Sequence, residues 1–144
     1  MSVLVDSNVL LRGVDPGDPD HQVALDAVGR LLARGETVYV VLQNLCEAWR
    51  GMTGAKGQNG LGLSVATAAA EIDRFEPLFT LLPEDVPAIY AEWNRLLRQH
   101  QVVGLEVYDA RLAATVIVHN IDRILTFDTG FSRYGVAVLD PASV

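Results

Sequence analysis

The chain has 144 residues, half of them hydrophobic, and a formal net charge of −7 at pH 7. This length predicts a single domain, residues 1–144, with a buried core, and the hydrophobic content excludes a disordered chain. The acidic balance argues against a general basic nucleic-acid binder, because phosphate contacts need Lys and Arg, but it is compatible with acids gathered around a metal ion or with a basic partner.

Strand and helix signals alternate along the chain. Short runs rich in β-branched residues predict strands, apolar residues at spacings of three and four predict helices, and Gly and Pro mark the turns. The predicted elements are a strand at 2–6, a helix from Ser7, an acidic loop at 14–21, a helix at 20–34, a strand at 37–42, a short helix at 43–52, a flexible glycine-rich loop at 51–62, a helix at 64–76, a strand at 78–82, helices at 84–100 and 108–119, and strands at 123–127 and 136–139.

This order predicts an α/β fold, a three-layer sandwich around a central, mostly parallel sheet of five strands. Ligands of such sheets bind beyond the carboxyl ends of the strands. Asp6 stands at that position, directly after the apolar run Val3 to Val5. A charge there is costly unless it is paired or binds a metal ion, although an aspartate that caps the following helix is an equally simple explanation.

Three further acids hold comparable positions. Glu47 lies on the first turn of the helix after strand two, Asp109 on the first turn of a late helix in line with its apolar face, and Asp128 directly after strand four. Each alone is explained as a helix-start acid or a turn residue. Together with Asp6 they would repel one another at one sheet edge, unless a divalent cation such as Mg²⁺ or Mn²⁺ neutralised them and activated water for attack on a phosphodiester.

With these residues in place, the sequence resembles the PIN-domain family, and more narrowly the VapC-type toxins of toxin–antitoxin pairs. The resemblance covers essentially the whole chain and rests on VLVDSNVLLRG, LQNLCEAWRGM, VYDARLAATVIVHN and RILTFDTGFSRYG. It implies a parallel sheet with strand order 3-2-1-4-5. In that order strands one and four are neighbours, which would bring Asp6 and Asp128 together.

The resemblance also implies an activity and partners. The implied protein is a Mg²⁺- or Mn²⁺-dependent endoribonuclease, a toxin that cleaves RNA with metal-activated water, is held inactive by a cognate antitoxin and forms a homodimer. Its implied site consists of the catalytic acids Asp6, Glu47, Asp109 and Asp128, of which Asp6, Asp109 and Asp128 bind metal, and of the auxiliary polar residues Asn8 and Thr126.

The last motif departs from the family pattern. Many relatives carry Asn immediately before the final Asp, whereas Phe127 and Thr129 flank Asp128 here. The resemblance therefore assigns metal binding more firmly to Asp6 and Asp109.

Three arginines, Arg12, Arg50 and Arg111, lie near the acidic motifs and are candidate contacts to RNA phosphates, with solvated charges or ion pairs as the alternative.

Two other functional classes also stay open. One is a catalytically inactive PIN-like domain that binds RNA or protein. The other is a phosphoryl-transfer domain, which would need a DxD pair or a lysine after a late strand, whereas the only lysine is Lys56.

No apolar run reaches the roughly 18 to 20 residues of a membrane span, and the N-terminus shows no signal-type segment, so we expect no membrane association and a cytoplasmic location.

The single cysteine, Cys46, excludes an internal disulfide and a cysteine-based zinc site, and we expect it to be a small buried residue.

Overall fold

The computed structural model describes residues 1–144 and contains five short strands and six α-helices, with a pair of helices after each of the first three strands. The strands are β1 (Ser2–Val5), β2 (Thr37–Val40), β3 (Thr80–Leu81), β4 (Arg123–Leu125) and β5 (Val138–Leu139). The helices are α1 (Ser7–Val14), α2 (His21–Ala33), α3 (Leu42–Thr53), α4 (Val65–Phe75), α5 (Val86–Gln99) and α6 (Glu106–Val118), with 3-10 helices over Thr129–Tyr134 and Pro141–Ser143. None of the helices combines the length and the apolar character that crossing a lipid bilayer requires.

The five strands form one parallel sheet in the order β3-β2-β1-β4-β5, which confirms the predicted topology. The central strand β1 pairs with β2 on one side and with β4 on the other, where Val5 is in register with Leu125. The backbone N–H of Asp6 donates to the Leu125 carbonyl at 2.9 Å. The residues that follow β1 and β4, Asp6 and Thr126, therefore leave the sheet side by side.

The two faces of the sheet carry two hydrophobic cores. Successive side chains of a strand point to opposite faces, so Val3 and Val5 pack into one core and Leu4 into the other. The Leu4 core includes residues of α5 and α6, and the Val3 and Val5 core includes residues of α1, α2, α3 and α4. All three side chains are fully buried, so the fold is the predicted three-layer sandwich.

The strands are shorter than predicted. The expected strand at 78–82 is the two-residue β3, and the expected strand at 123–127 ends at Leu125. The strand ends at Leu125 because the next side chain, Thr126, hydrogen-bonds to polar groups instead of continuing the apolar alternation. The 3-10 helix over Thr129–Tyr134 was not predicted, because no periodic apolar run marks it.

The glycine-rich segment differs from the flexible loop predicted at 51–62. Its first three residues continue α3, and the remainder folds back on the end of that helix. The Leu61 N–H donates to the Gly51 carbonyl at 2.9 Å, and the Gly62 N–H donates to the Gly54 carbonyl at 2.8 Å. The chain passes so close to itself that a Cβ on Gly60 would lie 2.1 Å from the Gly54 carbonyl oxygen. Glycine thus serves close backbone packing in this segment.

Cys46 is exposed, contrary to the expectation that it is buried. It lies one helical turn after Leu42, which is also exposed, whereas Ala48 and Met52 supply the buried face of α3. The helix thus turns its cysteine toward solvent.

Candidate active site

Asp6 is both the cap of α1 and the most buried acid of the site. Its Oδ1 accepts from the Ser7 N–H at 2.7 Å, and its Oδ2 accepts from the Thr126 hydroxyl at 2.7 Å. Its side chain is nearly excluded from solvent, and this burial raises the pKa of Asp6 against the opposing effect of its hydrogen bonds. Asp6 therefore caps α1, and this role is compatible with the predicted role in a site.

Thr126 connects three parts of the site through one hydroxyl group. It donates to Asp6 Oδ2 and accepts from the Asn8 side-chain amide at 3.1 Å and from the Asp128 N–H at 3.0 Å. A hydroxyl has one donor and two acceptor positions, so this buried group is fully satisfied. Thr126 thereby orients Asp6 and positions the backbone of Asp128.

Asp109 lies on the first turn of α6 and accepts no hydrogen bond from the protein. Its pKa is raised to about 7, first by burial and then by the negative charges of Asp6, Asp128, Glu47 and Glu106. The influence of all four charges on one carboxyl group shows that α6 delivers Asp109 into an acidic cluster.

Glu47 faces the same cluster from α3. The helix begins at Leu42, so Glu47 lies on its second turn and not on the first turn as predicted. Burial raises the pKa of Glu47, and the charge of Asp6 adds to this effect. Its one hydrogen bond comes from the Gln43 amide, which donates to Oε1 at 3.1 Å.

Asp128 is the exposed member of the cluster. It caps the following 3-10 helix, with Oδ1 accepting from the Gly130 N–H at 2.8 Å. Its charge raises the pKa of both Asp6 and Asp109, so the four predicted acids are linked by electrostatic interactions at the carboxyl edge of the sheet, with Asp109 influenced by the other three.

The donor chemistry of this cluster fits a hard divalent cation. The acids offer only oxygen atoms, Asp109 has no protein partner, and the pKa of each of Asp6, Glu47 and Asp109 is raised, first by burial and further by neighbouring acids. No three His, Cys, Asp or Glu side chains are arranged to hold one ion among themselves. Mg²⁺ needs few protein carboxylates because water completes its octahedron, so the fit rests on donor type and charge.

A cleft of about 370 Å³ opens beside the cluster and is lined by Ser7, Glu47 and Arg50 among others. Arg50 makes no ion pair and is exposed, and its charge partly opposes the rise in the pKa of Glu47. Of the three arginines predicted to contact RNA, Arg50 is therefore the one left free beside the acids.

The other two arginines have partners within the protein. The Arg12 guanidinium stacks 4.0 Å from the centre of the Phe127 ring and lies 3.6 Å from Asp20. Arg111 donates to Gln43 Oε1 at 3.0 Å. The Phe127 ring thus holds Arg12 beside the acidic loop.

Gln43 and Glu106 were not predicted from the sequence as parts of the site. Gln43 precedes Glu47 by four residues, and Glu106 precedes Asp109 by three, spacings that place side chains on one face of a helix. This spacing was a usable signal in both cases.

The protein is therefore an α/β domain whose parallel sheet carries a cluster of acids at its carboxyl edge, and such a cluster attracts cations. The family model described as the PIN domain matches residues 3–137, a range that includes all four acids. The chain belongs to the PIN domain family. Among curated proteins, none matches it.

Solved structures are similar over nearly the whole chain. FitAcB from Neisseria gonorrhoeae is 26% identical, with 99% of both chains covered and a TM-score of 0.69. VapC20 from Mycobacterium tuberculosis, a sarcin-ricin loop cleaving toxin, is 20% identical, with 94% of this chain and 96% of that chain covered and a TM-score of 0.69. VapBC2 from Rickettsia felis, bound to a promoter DNA fragment, is 14% identical, with 96% and 98% covered and a TM-score of 0.70. The last two are less than 25% identical, so what their similarity shows is a shared fold.

Proposed function

We propose that the protein is a divalent-metal-dependent endoribonuclease and the toxin of a toxin–antitoxin pair. The observation that carries this proposal is the acidic cluster of a PIN domain in which Asp109, without a hydrogen-bond partner, has its pKa raised to about 7. The description of VapC20 as a toxin that cleaves the sarcin-ricin loop supports RNA as the substrate class.

Asp6, Asp109 and Asp128 are the residues that would hold the ion, one or two of them directly and the rest through water molecules of its octahedron. When bound, Mg²⁺ or Mn²⁺ supplies a Lewis acid for the phosphodiester and lowers the pKa of water. Thr126 keeps the Asp6 carboxylate oriented toward the cluster. Glu47 flanks the cleft and is suited to accept a proton from the attacking water.

The residue best placed to bind the substrate is the exposed arginine of the cleft. Arg50 lies beside Glu47 and can contact an RNA phosphate without first breaking an ion pair. Arg12 and Arg111 would have to exchange an intramolecular partner for phosphate, so we propose that their contribution to RNA binding is smaller.

We further propose that residues 1–144 act as one domain, that the protein forms a homodimer, and that a cognate antitoxin inhibits it in the cytoplasm, where its RNA substrate occurs. One sheet carries both hydrophobic cores, which supports the single domain. Structures of FitAB and VapBC2 bound to DNA fragments support an antitoxin partner.

The test is RNA cleavage by the purified protein, with structured RNA hairpins, a sarcin-ricin loop among them, and with Mn²⁺ or EDTA. Asp6→Asn and Asp109→Asn remove a carboxylate with little change of shape, and we expect each to abolish Mn²⁺-dependent cleavage while leaving the melting temperature unchanged or higher. Asp26→Asn on the exposed face of α2 is the matched control and should retain wild-type cleavage.

Metal-dependent cleavage that persists in both Asp6→Asn and Asp109→Asn would overturn the nuclease assignment. RNA binding without turnover by the wild type in Mn²⁺ would instead identify a catalytically inactive PIN domain.

A further inference from the structure

Gln43 ties helix α3 to the first turn of α6. Its Nε2 donates to Glu47 Oε1 at 3.1 Å and to the Tyr108 carbonyl at 3.0 Å, while its Oε1 accepts from Arg111 Nη1 at 3.0 Å. The side chain is only 9% exposed. One buried amide thus joins the Glu47 carboxylate to the residue that immediately precedes Asp109.

The three partners allow only one orientation of this amide. The Nε2 group faces two acceptors, a carboxylate and a carbonyl, and Oε1 faces a guanidinium. A flipped amide would place its oxygen against both acceptors and its NH₂ against the cation, so every contact would become repulsive. Arg111 forms an ion pair with Glu84, whose Oε1 lies 3.5 Å from Arg111 Nη2 and accepts no hydrogen bond. The orientation of Gln43 is therefore set by a cation that is paired with an acid.

The Glu47 carboxylate depends on this amide. Gln43 donates the only hydrogen bond that Glu47 accepts, and it leaves Oε2 free. The nearby charge of Asp6 repels Glu47, so without the amide the side chain would be expected to turn toward solvent. The hydrogen bond stabilises the negative charge of Glu47 at the edge of the cluster.

We infer that Gln43 is a positioning residue that, oriented by Arg111 and Glu84, holds the Glu47 carboxylate against the acidic cluster for metal binding and RNA cleavage. The inference rests on the proposed function. Gln43 contacts no reacting atom, and it acts through Glu47.

The chain contains a matched control. Gln22 donates to Asp26 Oδ1 at 2.8 Å, which is the same glutamine-to-acid contact four residues apart, on the exposed face of α2. Gln43→Met and Gln22→Met each remove the amide and keep the length of the side chain. Both variants lose an amide, so a difference between them shows an effect specific to the position of Gln43.

The experiment measures Mn²⁺ affinity by electron paramagnetic resonance, and kcat and KM for RNA cleavage, in the full-length protein. We expect Gln43→Met to lower kcat by about 10-fold, as is typical when a group that orients a site residue is removed, with KM for RNA changed by less than about twofold. Mn²⁺ binding should also weaken, because the negative charge of Glu47 then lies farther from the acids that would hold the ion. Gln22→Met should match the wild type in all three quantities.

A double-mutant cycle separates positioning from general structural support. If Gln43 acts through Glu47, adding Gln43→Met to Glu47→Gln should lower kcat by no more than about twofold further, because coupled residues are not additive. Full additivity would overturn the inference. Gln43→Asn, which keeps the amide but is too short to span both helices, replaces Gln43→Met if that variant does not fold.

The outcomes for the proposal and for the proposed function differ. A wild type that binds Mn²⁺ and cleaves RNA, beside a Gln43→Met variant that equals it, overturns only the positioning role. A wild type that does neither overturns the proposed function, and the positioning role with it.

Discussion

At the scale of single residues, one hydroxyl group determines the geometry of the site. Thr126 is 1% exposed and satisfies Asp6, the Asn8 amide and the Asp128 N–H at once. The site therefore depends on an uncharged residue as much as on its acids, because the hydroxyl orients the one carboxylate that is almost completely buried.

Thr126→Val keeps the shape of the side chain and removes the hydroxyl. We expect a loss of about 1–3 kcal/mol in the free energy of unfolding, because buried polar groups are left without partners. We also expect a fall of about 10- to 100-fold in Mn²⁺-dependent cleavage. Chemical denaturation and a cleavage assay measure the two effects.

Thr115→Val is the control for that substitution. Thr115 is also fully buried, but its hydroxyl donates only to the Arg111 carbonyl at 3.0 Å within α6. This variant should keep wild-type cleavage. Equal losses of cleavage in Thr115→Val and Thr126→Val would contradict the role given to Thr126.

At the scale of elements, two helical glycines have opposite surroundings. A Cβ on Gly29 in α2 would meet no atom within 4 Å, whereas a Cβ on Gly51 in α3 would lie 2.5 Å from Leu11 Cδ2 of α1. The close approach of α3 to α1 brings the Glu47 helix next to the strand end that carries Asp6, so Gly51 is part of how the site is assembled.

The same substitution should therefore have opposite effects at the two positions. Gly29→Ala should raise the free energy of unfolding by about 0.5–1 kcal/mol, because alanine loses less backbone entropy on folding. Gly51→Ala should lower it by about 1 kcal/mol, because Leu11 must leave its packed position. Thermal melting measures both, and a stabilised Gly51→Ala variant would show that α1 and α3 separate without cost.

At the scale of the whole molecule, the acidic cluster makes stability depend on pH. The pKa of Asp109 is about 7 in the folded protein, against roughly 3.9 for aspartate in an unfolded chain. Between these values the folded state binds more protons than the unfolded state, so stability falls as pH rises from about 4 to about 7. Asp109 is partly exposed, so solvent screening limits the loss to about 1–2 kcal/mol.

Asp109→Asn isolates this contribution. In EDTA, the variant should melt about 2–8 °C above the wild type at pH 8, where the Asp109 charge is fully present, and the difference should shrink toward pH 5. Differential scanning calorimetry across this range checks the sign. A variant that is less stable than the wild type at pH 8 would contradict it.

A divalent cation should reverse the destabilisation. At pH 8, Mn²⁺ at 100 times its dissociation constant should stabilise the wild type by about 2.7 kcal/mol, because it binds only the folded state. Asp109→Asn should gain much less. Equal stabilisation of the two proteins by Mn²⁺ would show that Asp109 does not bind the ion.

Much of the architecture could be predicted from the sequence alone. The buried run Val3 to Val5, the alternation of strand and helix signals, and the polar residues at strand ends are local patterns, and local sterics and hydrophobic periodicity determine them within a few residues. The strand order 3-2-1-4-5 came from the family resemblance, since periodicity does not specify which strands are neighbours.

Only the tertiary structure decided the environment of each acid. The orientation of Asp6 by Thr126, the hold of Gln43 on Glu47, and the raised pKa of Asp109 each depend on groups from separate helices and strands. The sequence therefore determined which carboxylates stand at the ends of elements. The packing of those elements determined how far each is removed from water and which charges it meets, because desolvation and Coulomb interactions depend on distance in space and not along the chain.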